Sequence, residues 1–503
     1  MTGTHNRLRL IRAGIDTYQQ PVVYMREDCN VCRSEGFAAL SRVVVRAGGR
    51  EIVATLNVVL DDKLDVDVAA LSEAAWNALQ PATDAWAEFA HPEPARSAGA
   101  LRAKVFGQRL GETEFLDLMR DTVSSRLSDI ELAAFVTACA GERLDADETV
   151  ALTKAMLGVG ESIDWGSGPV LDKHCVGGLP GNRTTPIVVA IVAAAGHRIP
   201  KTSSRAITSP AGTADAMAVM APVALDLDVM RRVVEREGGC IVWGGNVRLS
   251  PADDILIRVE RPLDFDSEGQ LVASVLSKKA AAGSTHVLID IPVGPTAKVR
   301  SNAAAKSLET LMIVTARALG LNLSVYRTDG RQPVGYGIGP ALEARDVLSV
   351  LRNETAAPAD LRDRALDLAG ALLDLAPGGR GHGRNQAQSI LGSGAALSKF
   401  LAICEAQGGF TEPAADAAYT WEMLAKRPGR VIEIDNRRLA KIAKLAGAPI
   451  SVTAGIICKI RLGDHIEEGE PLFQINAESP GELDYALSYA KEHPNVIAIG
   501  DHQ

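Results

Sequence analysis

The sequence predicts a multidomain α/β chain that carries additional α+β modules. Three observations support this. Strand-like apolar runs at 170–175, 241–243, 287–292 and 324–327 alternate with helical stretches up to about residue 412, as in an α/β domain. Short alternating apolar and polar runs fill residues 1–90, which reads as a small β-rich domain. A glycine turn, Gly177-Gly178-Leu179-Pro180-Gly181, joins the run at 170–175 to the apolar run at 187–195, giving strand, tight loop and helix.

In chain order, the N-terminal domain (1–90) takes its strands from residues 21–25, 38–46 and 51–60. Turn signals at Gly48-Gly49 and Asp61-Asp62 separate them. His91-Pro92-Glu93-Pro94 reads as a linker. Residues 91–165 form a helical domain, joined by part of 210–285. Here Ser128 and Glu131 make a capping box ahead of Leu132, Phe135, Val136 and Cys139. Asp145 and Glu148 repeat the signal before Val150, Leu152 and Met156, and Gly158 and Gly160 end that helix. Residues 166–427 form the α/β domain, expected to hold a mixed sheet. Residues 428–503 form a compact αβ unit with strands at 430–434 and 455–460 and helices at 437–446 and 480–492. Within it, residues 461–472 resemble the hammerhead-type hairpin of biotinyl-like folds. They lack the lysine turn that would carry biotin or lipoate.

Composition narrows the function. The 503 residues are 47% hydrophobic and 23% charged, with a net charge of −9. An acidic chain does not bind nucleic acid through its overall field, so any anion site must be local. The longest uncharged apolar run, 186–196, is too short to cross a bilayer, and the first residues lack the apolar core of a signal peptide. A cytoplasmic protein is expected. Seven cysteines at irregular spacing suggest no disulfide framework. Cys29-x-x-Cys32 has no second ligand pair nearby and reads as a reduced structural pair.

The glycine turn carries the chemistry. Lys173 and His174 enter it, and Asn182-Arg183-Thr184-Thr185 leads out into the helix. Glycines admit close backbone approach, helix-start N–H groups favour an anion, and Lys173 and Arg183 add positive charge. One helix later, residues 201–215 gather Lys201, Thr202, Ser203, Ser204, Arg205, Thr208, Ser209 and Thr213 around a Gly212-Thr213 turn. If their strands are adjacent and parallel, both loops reach the same sheet edge. Cys175 lies inside the first loop, where a packing role is expected.

These segments resemble the thymidine/pyrimidine-nucleoside phosphorylase family. The likeness continues through Ala273-Ser274-Val275-Leu276-Ser277-Lys278-Lys279, Thr328-Asp329-Gly330-Arg331-Gln332-Pro333-Val334-Gly335, Leu391-Gly392-Ser393-Gly394-Ala395 and Lys399-Phe400. The N-terminal extension and residues 180–185 and 204–210 are closer still to the branch of archaeal-type AMP phosphorylases and bacterial type-2 thymidine phosphorylases. The resemblance implies a helical domain and an α/β domain forming a cleft, a small C-terminal domain, and a homodimer or higher homo-oligomer. It implies phosphorolysis of a nucleoside or nucleotide, with inorganic phosphate as co-substrate and neither cofactor nor metal.

Carried over residue by residue, the resemblance makes Lys173, Gly178, Ser203, Thr213 and either Thr184 or Thr185 the phosphate residues. Ser274 and Lys278 become base contacts, and Lys279 a solvated neighbour. Arg258 is the best match to a substrate arginine, one residue out of the expected spacing. Asp266 matches the proton donor of the AMP-phosphorylase branch, with Asp264 close enough to compete; on pattern alone a solvated turn aspartate before Ser267-Glu268-Gly269 fits equally well. His174 either hydrogen-bonds the base carbonyl or is an ordinary loop histidine. Where the ordinary thymidine enzymes have glycine and histidine, this chain has Ser204, Arg205, Ala206, Ile207, Thr208 and Ser209. It also adds Lys298 after the 287–292 run. Extra cations and hydroxyls suit a 5′-phosphate on the substrate.

Two other readings compete. An anthranilate-type phosphoribosyltransferase would need an acidic magnesium motif. The one tempting pair, Asp253-Asp254, follows Pro251-Ala252 and reads as a helix start. A non-enzymatic binding protein on the same fold would bind ligand without turnover.

Overall fold

The computed structural model describes residues 7–500 except 207–208, 248, 264–266 and 415–416. The chain divides into two compact units, residues 1–159 with 251–267, and residues 160–250 with 268–503.

The first unit opens with a closed six-stranded barrel. Its ladder joins Arg7–Arg12, Val68–Leu71, Val22–Arg26, Arg50–Val59, Arg42–Ala47 and Trp86–Ala90 in that order. The period-2 pattern points Leu8, Leu10, Val23, Met25, Val43 and Val45 inward, and closure leaves no free sheet edge. Cys29 caps the short helix Asn30–Glu35 through its sulfur, which accepts from the Cys32 N–H at 3.2 Å. Both cysteines are free and buried.

The helical part of this unit follows its capping signals. Ser128 and Glu131 close a capping box on Asp129–Ala138, and the Asp145 carboxylate caps Ala146–Gly158. Lys104 and Glu148, both nearly inaccessible, pair at 2.6 Å. The helix Pro251–Leu263 belongs to this unit, and Asp253 and Asp254 lie in its first turn.

The second unit is built on parallel strands. Asn322–Asp329, His286–Val293 and Leu171–Cys175 pair in parallel, as do Ile199–Ser203 and Gly239–Trp243. A parallel bridge from Val170 to Arg198 connects the two groups. The expected mixed sheet is therefore corrected: the described ladders among these five strands are all parallel. Strand direction is set by right-handed crossovers rather than by the apolar pattern. The helix Thr184–Ala194 is buried over residues 184–193, as a helix apolar on all sides must be. It packs in one core with Ala365, Leu368, Leu372, Phe400 and Ile403.

The C-terminal part holds two small sheets. One orders Gly337–Ile338, Gly455–Ile457, Pro471–Ala477 and Tyr419–Leu424. The other orders His465–Ile466, Gly429–Ile434 and Ile497–Gly500. The strands on either side of residues 467–470 enter different sheets, so the segment likened to a hairpin does not form a hairpin ladder. Tyr419–Leu424, which precedes residue 428, also joins this part.

Candidate active site

The parallel order brings the C-terminal ends of several strands to one rim, where open α/β sheets bind ligands. Cys175, Ser203, Trp243, Val293 and Asp329 end their strands there. Four loops follow from the strand ends at Cys175, Ser203, Val293 and Asp329, and glycines let the first, third and fourth pack against one another. Gly178 has φ +80°, and a Cβ on it would lie 2.3 Å from the Lys298 backbone nitrogen. Its glycine is thus required by the loop carrying Lys298, which the structure brings onto the first glycine turn. Gly181, at φ +68°, meets the Val334 carbonyl in the same way, its Cβ position 2.1 Å from that oxygen.

Lys173 is buried, and its ammonium donates to Thr184 Oγ1 at 2.8 Å. Asp290 lies 3.8 Å away. Thr185 is also buried, but the ammonium's hydrogen bond goes to Thr184. On the neighbouring strand the Ser203 hydroxyl is buried without a hydrogen-bond partner. A buried orphan hydroxyl costs free energy and is understandable where a ligand supplies the missing partner. Asn182, not singled out from the sequence, presents a second orphan. Its amide oxygen is unpartnered, its backbone sits at φ +52°, and its Nδ2 donates to the Cys175 sulfur at 3.4 Å. Asparagine's tolerance of the left-handed region was the available signal. Burial pushes the Cys175 thiol up to about 12, which disfavours the thiolate.

Arg183 departs from its sequence reading as a phosphate-facing charge. Its guanidinium donates to Glu343 Oε2 at 2.6 Å, to Thr213 Oγ1 at 2.7 Å and to the Ala211 carbonyl at 3.0 Å. Burial raises the Glu343 carboxyl to about 7 despite the opposing Arg183 charge. Lys279 is not a solvated neighbour either. It is buried and donates to Asp172 Oδ2 at 2.6 Å, where the Ser284 hydroxyl also donates, at 3.2 Å. Lys201 lies 3.6 Å from the other Asp172 oxygen, and burial lowers its ammonium to about 7. Asp172 thereby ties the helix Glu268–Ala281 to the strand bearing Lys173.

That helix places Ser274 and Lys278 one turn apart and half-buried, with the Lys278 ammonium 3.5 Å from Ser274 Oγ. His174, half-buried at the end of its strand, has a pKa well below the usual 6.5. Burial is the main cause, and Lys279, Lys201, Lys278 and Lys173 all push the same way. A neutral imidazole can donate from one nitrogen and accept at the other.

The second loop is organised by Asp215, which accepts from the N–H groups of Ala206 and Gly212 at 2.6 and 2.8 Å. It also holds Arg205 at 3.2 Å, and that guanidinium lies 5.2 Å over the Trp243 ring. Ser204, Arg205 and Ser209 are exposed, and the Ser209 hydroxyl donates to the Ala211 carbonyl at 3.1 Å. Ile207, Thr208, Asp264 and Asp266 lie outside the described residues. Arg258, in the first unit, forms a bidentate pair with Asp129 at 2.7 and 2.8 Å. Among the described residues no group of three or more His, Cys, Asp and Glu side chains is placed to hold a metal ion.

Three parts of the chain match known family models. Residues 98–160 match the "Glycosyl transferase family, helical bundle domain", and residues 167–397 match its "a/b domain". Residues 430–496 match the "Pyrimidine nucleoside phosphorylase C-terminal domain". A protein of Acidovorax sp. (strain JS42) named "Putative thymidine phosphorylase 1" is 60% identical over 98% of this chain and 97% of its own length. The chain belongs to the thymidine/pyrimidine-nucleoside phosphorylase family. A similarly named relative from Polaromonas sp. (strain JS666 / ATCC BAA-500) is 60% identical over 99% of this chain and 97% of its own length. The crystal structure of anthranilate phosphoribosyltransferase from Thermus thermophilus superposes with a TM-score of 0.52 at 19% identity. It covers 61% of this chain and 99% of that one, a likeness of fold alone. No single helix among the described residues is long and apolar enough to cross a membrane.

Proposed function

We propose that this member of the family cleaves the N-glycosidic bond of a nucleoside or nucleoside monophosphate with inorganic phosphate. A phosphate oxygen attacks C1′ and the C–N bond breaks, its electron pair leaving with the base. The products are free base and a pentose 1-phosphate, or a 1,5-bisphosphate where the substrate carries a 5′-phosphate. The observation that carries this reading is the buried Lys173 ammonium with its Thr184 hydroxyl, on a strand adjacent to one ending in the orphan Ser203 hydroxyl.

Each group has a task. Lys173 holds phosphate by charge, with hydroxyls from Thr184, Ser203 and Thr213. Ser274, Lys278 and neutral His174 serve the base, and an ammonium there stabilises negative charge as the base departs. Asp266 is assigned as the proton donor, and Arg258 as a further substrate contact. Arg205, Lys298, Ser204, Ala206, Ile207, Thr208 and Ser209 are assigned to a 5′-phosphate, which added cations and hydroxyls suit. The finer reading is therefore a nucleoside monophosphate, as in AMP phosphorylases, acted on by a cytoplasmic homodimer without cofactor.

The test is a panel of nucleosides and monophosphates with and without phosphate, followed by chromatography of the released base. Phosphate-dependent release in chelator is expected. Turnover that requires magnesium and diphosphate would favour the phosphoribosyltransferase reading. Preference for thymidine over AMP would reject the 5′-phosphate argument and leave phosphorolysis standing.

A further inference from the structure

Arg183 lies in the loop after the glycine turn, where a cation is expected to bind phosphate directly. Its geometry serves another end. Nε and Nη2 both face Glu343 Oε2, at 2.6 and 2.5 Å. Nη1 donates to Thr213 Oγ1 and Nη2 to the Ala211 carbonyl. One planar fork thus joins three segments: its own loop, the loop after Ser203, and the helix Pro340–Leu351 that carries Glu343. Glu343 is buried, and it also accepts from the Gly339 N–H at 3.2 Å, which fixes the far end of the strut.

The consequence for Thr213 is chemical. A hydroxyl has one proton and two lone pairs. Arg183 occupies a lone pair of Thr213, so the proton is left to donate elsewhere. The Lys173–Thr184 contact has the same sense, with the ammonium donating and the threonine proton free. Both cations thereby turn threonines into donors, which is what a phosphate oxygen needs.

We propose that Arg183 is a positioning residue for phosphate. It holds the two anion loops in register and commits the Thr213 hydroxyl to donate to the bound phosphate, while Glu343 anchors it. The inference rests on the phosphorolytic reading of this site.

The test is a double-mutant cycle on the full chain with Arg183→Met, Thr213→Val and both together. It uses inorganic phosphate and the best substrate from the panel. If Arg183 acts through Thr213, each single variant raises KM for phosphate by roughly tenfold or more. KM for the nucleoside stays near its wild-type value, and the double variant is no worse than the worse single one. A purely structural arginine would instead lower the unfolding midpoint and the active fraction while leaving KM for phosphate unchanged. Either that result or additive effects of the two substitutions would overturn the proposal. Should Arg183→Met not fold, Arg183→Lys keeps the charge but cannot reach all three partners. A raised phosphate KM supports the proposal, and a wild-type value overturns it. Lys173→Ala is run alongside. If it too leaves phosphate-dependent release intact, the reading of the site has failed, and not the role of Arg183 alone.

Discussion

His174 shows how much a single residue's surroundings decide. From the sequence it was either a base contact or an ordinary loop histidine. Its half-buried position beside four lysines keeps the ring neutral. Because its folded pKa lies below 6.5, the unfolded chain binds the extra proton first. The stability from keeping the ring neutral is complete above that pH and is lost as pH falls below it. The imidazole resonance that disappears in His174→Asn should therefore stay in its neutral form from pH 8 down to about 6. An inflection at or above the ordinary histidine value would contradict this. Lys173, Ser203 and Thr213 stood out in the sequence as polar groups close to glycine turns. Lys279 was not, because its partner Asp172 is 107 residues away and nothing local marks the pairing. Arg183 was misread for the same reason, its carboxylate lying 160 residues on.

At the scale of elements, turn chemistry and periodicity were the legible signals. N-cap signals located the helix starts, and alternation located barrel strands at 22–26, 42–47 and 50–59. The strand Ile199–Ser203 was harder to see, since Lys201, Thr202 and Ser203 make it look like a loop. It is fully buried, with Asp172 facing Lys201 and a parallel ladder pairing its backbone. Strand directions were not legible, hence the mixed sheet that proved parallel. Gly178 tests how the loops depend on one another. Gly178→Ala would place a methyl group on the Lys298 backbone in a left-handed conformation. It should lower stability by about 2 kcal/mol or more in urea unfolding and also reduce turnover. A variant as stable and active as wild type would show that the two loops are not packed as described.

For the whole molecule, a net charge of −9 coexists with a site where Lys173, Lys201, Lys278 and Lys279 converge. Long-range attraction does not deliver phosphate to such a protein, so local geometry must. The sequence made the family legible because its motifs are spread from the glycine turn to Lys399, and the relatives match along nearly the whole chain. Substrate identity is less legible. Arg205 is already held by Asp215 and Trp243, and Arg258 by Asp129, so charge alone does not reveal what either would recognise. The most direct measurement is phosphate-dependent base release by Lys173→Ala. A fall of about a hundredfold or more is expected, with circular dichroism and the unfolding midpoint showing a folded protein. Wild-type turnover in that variant would contradict it.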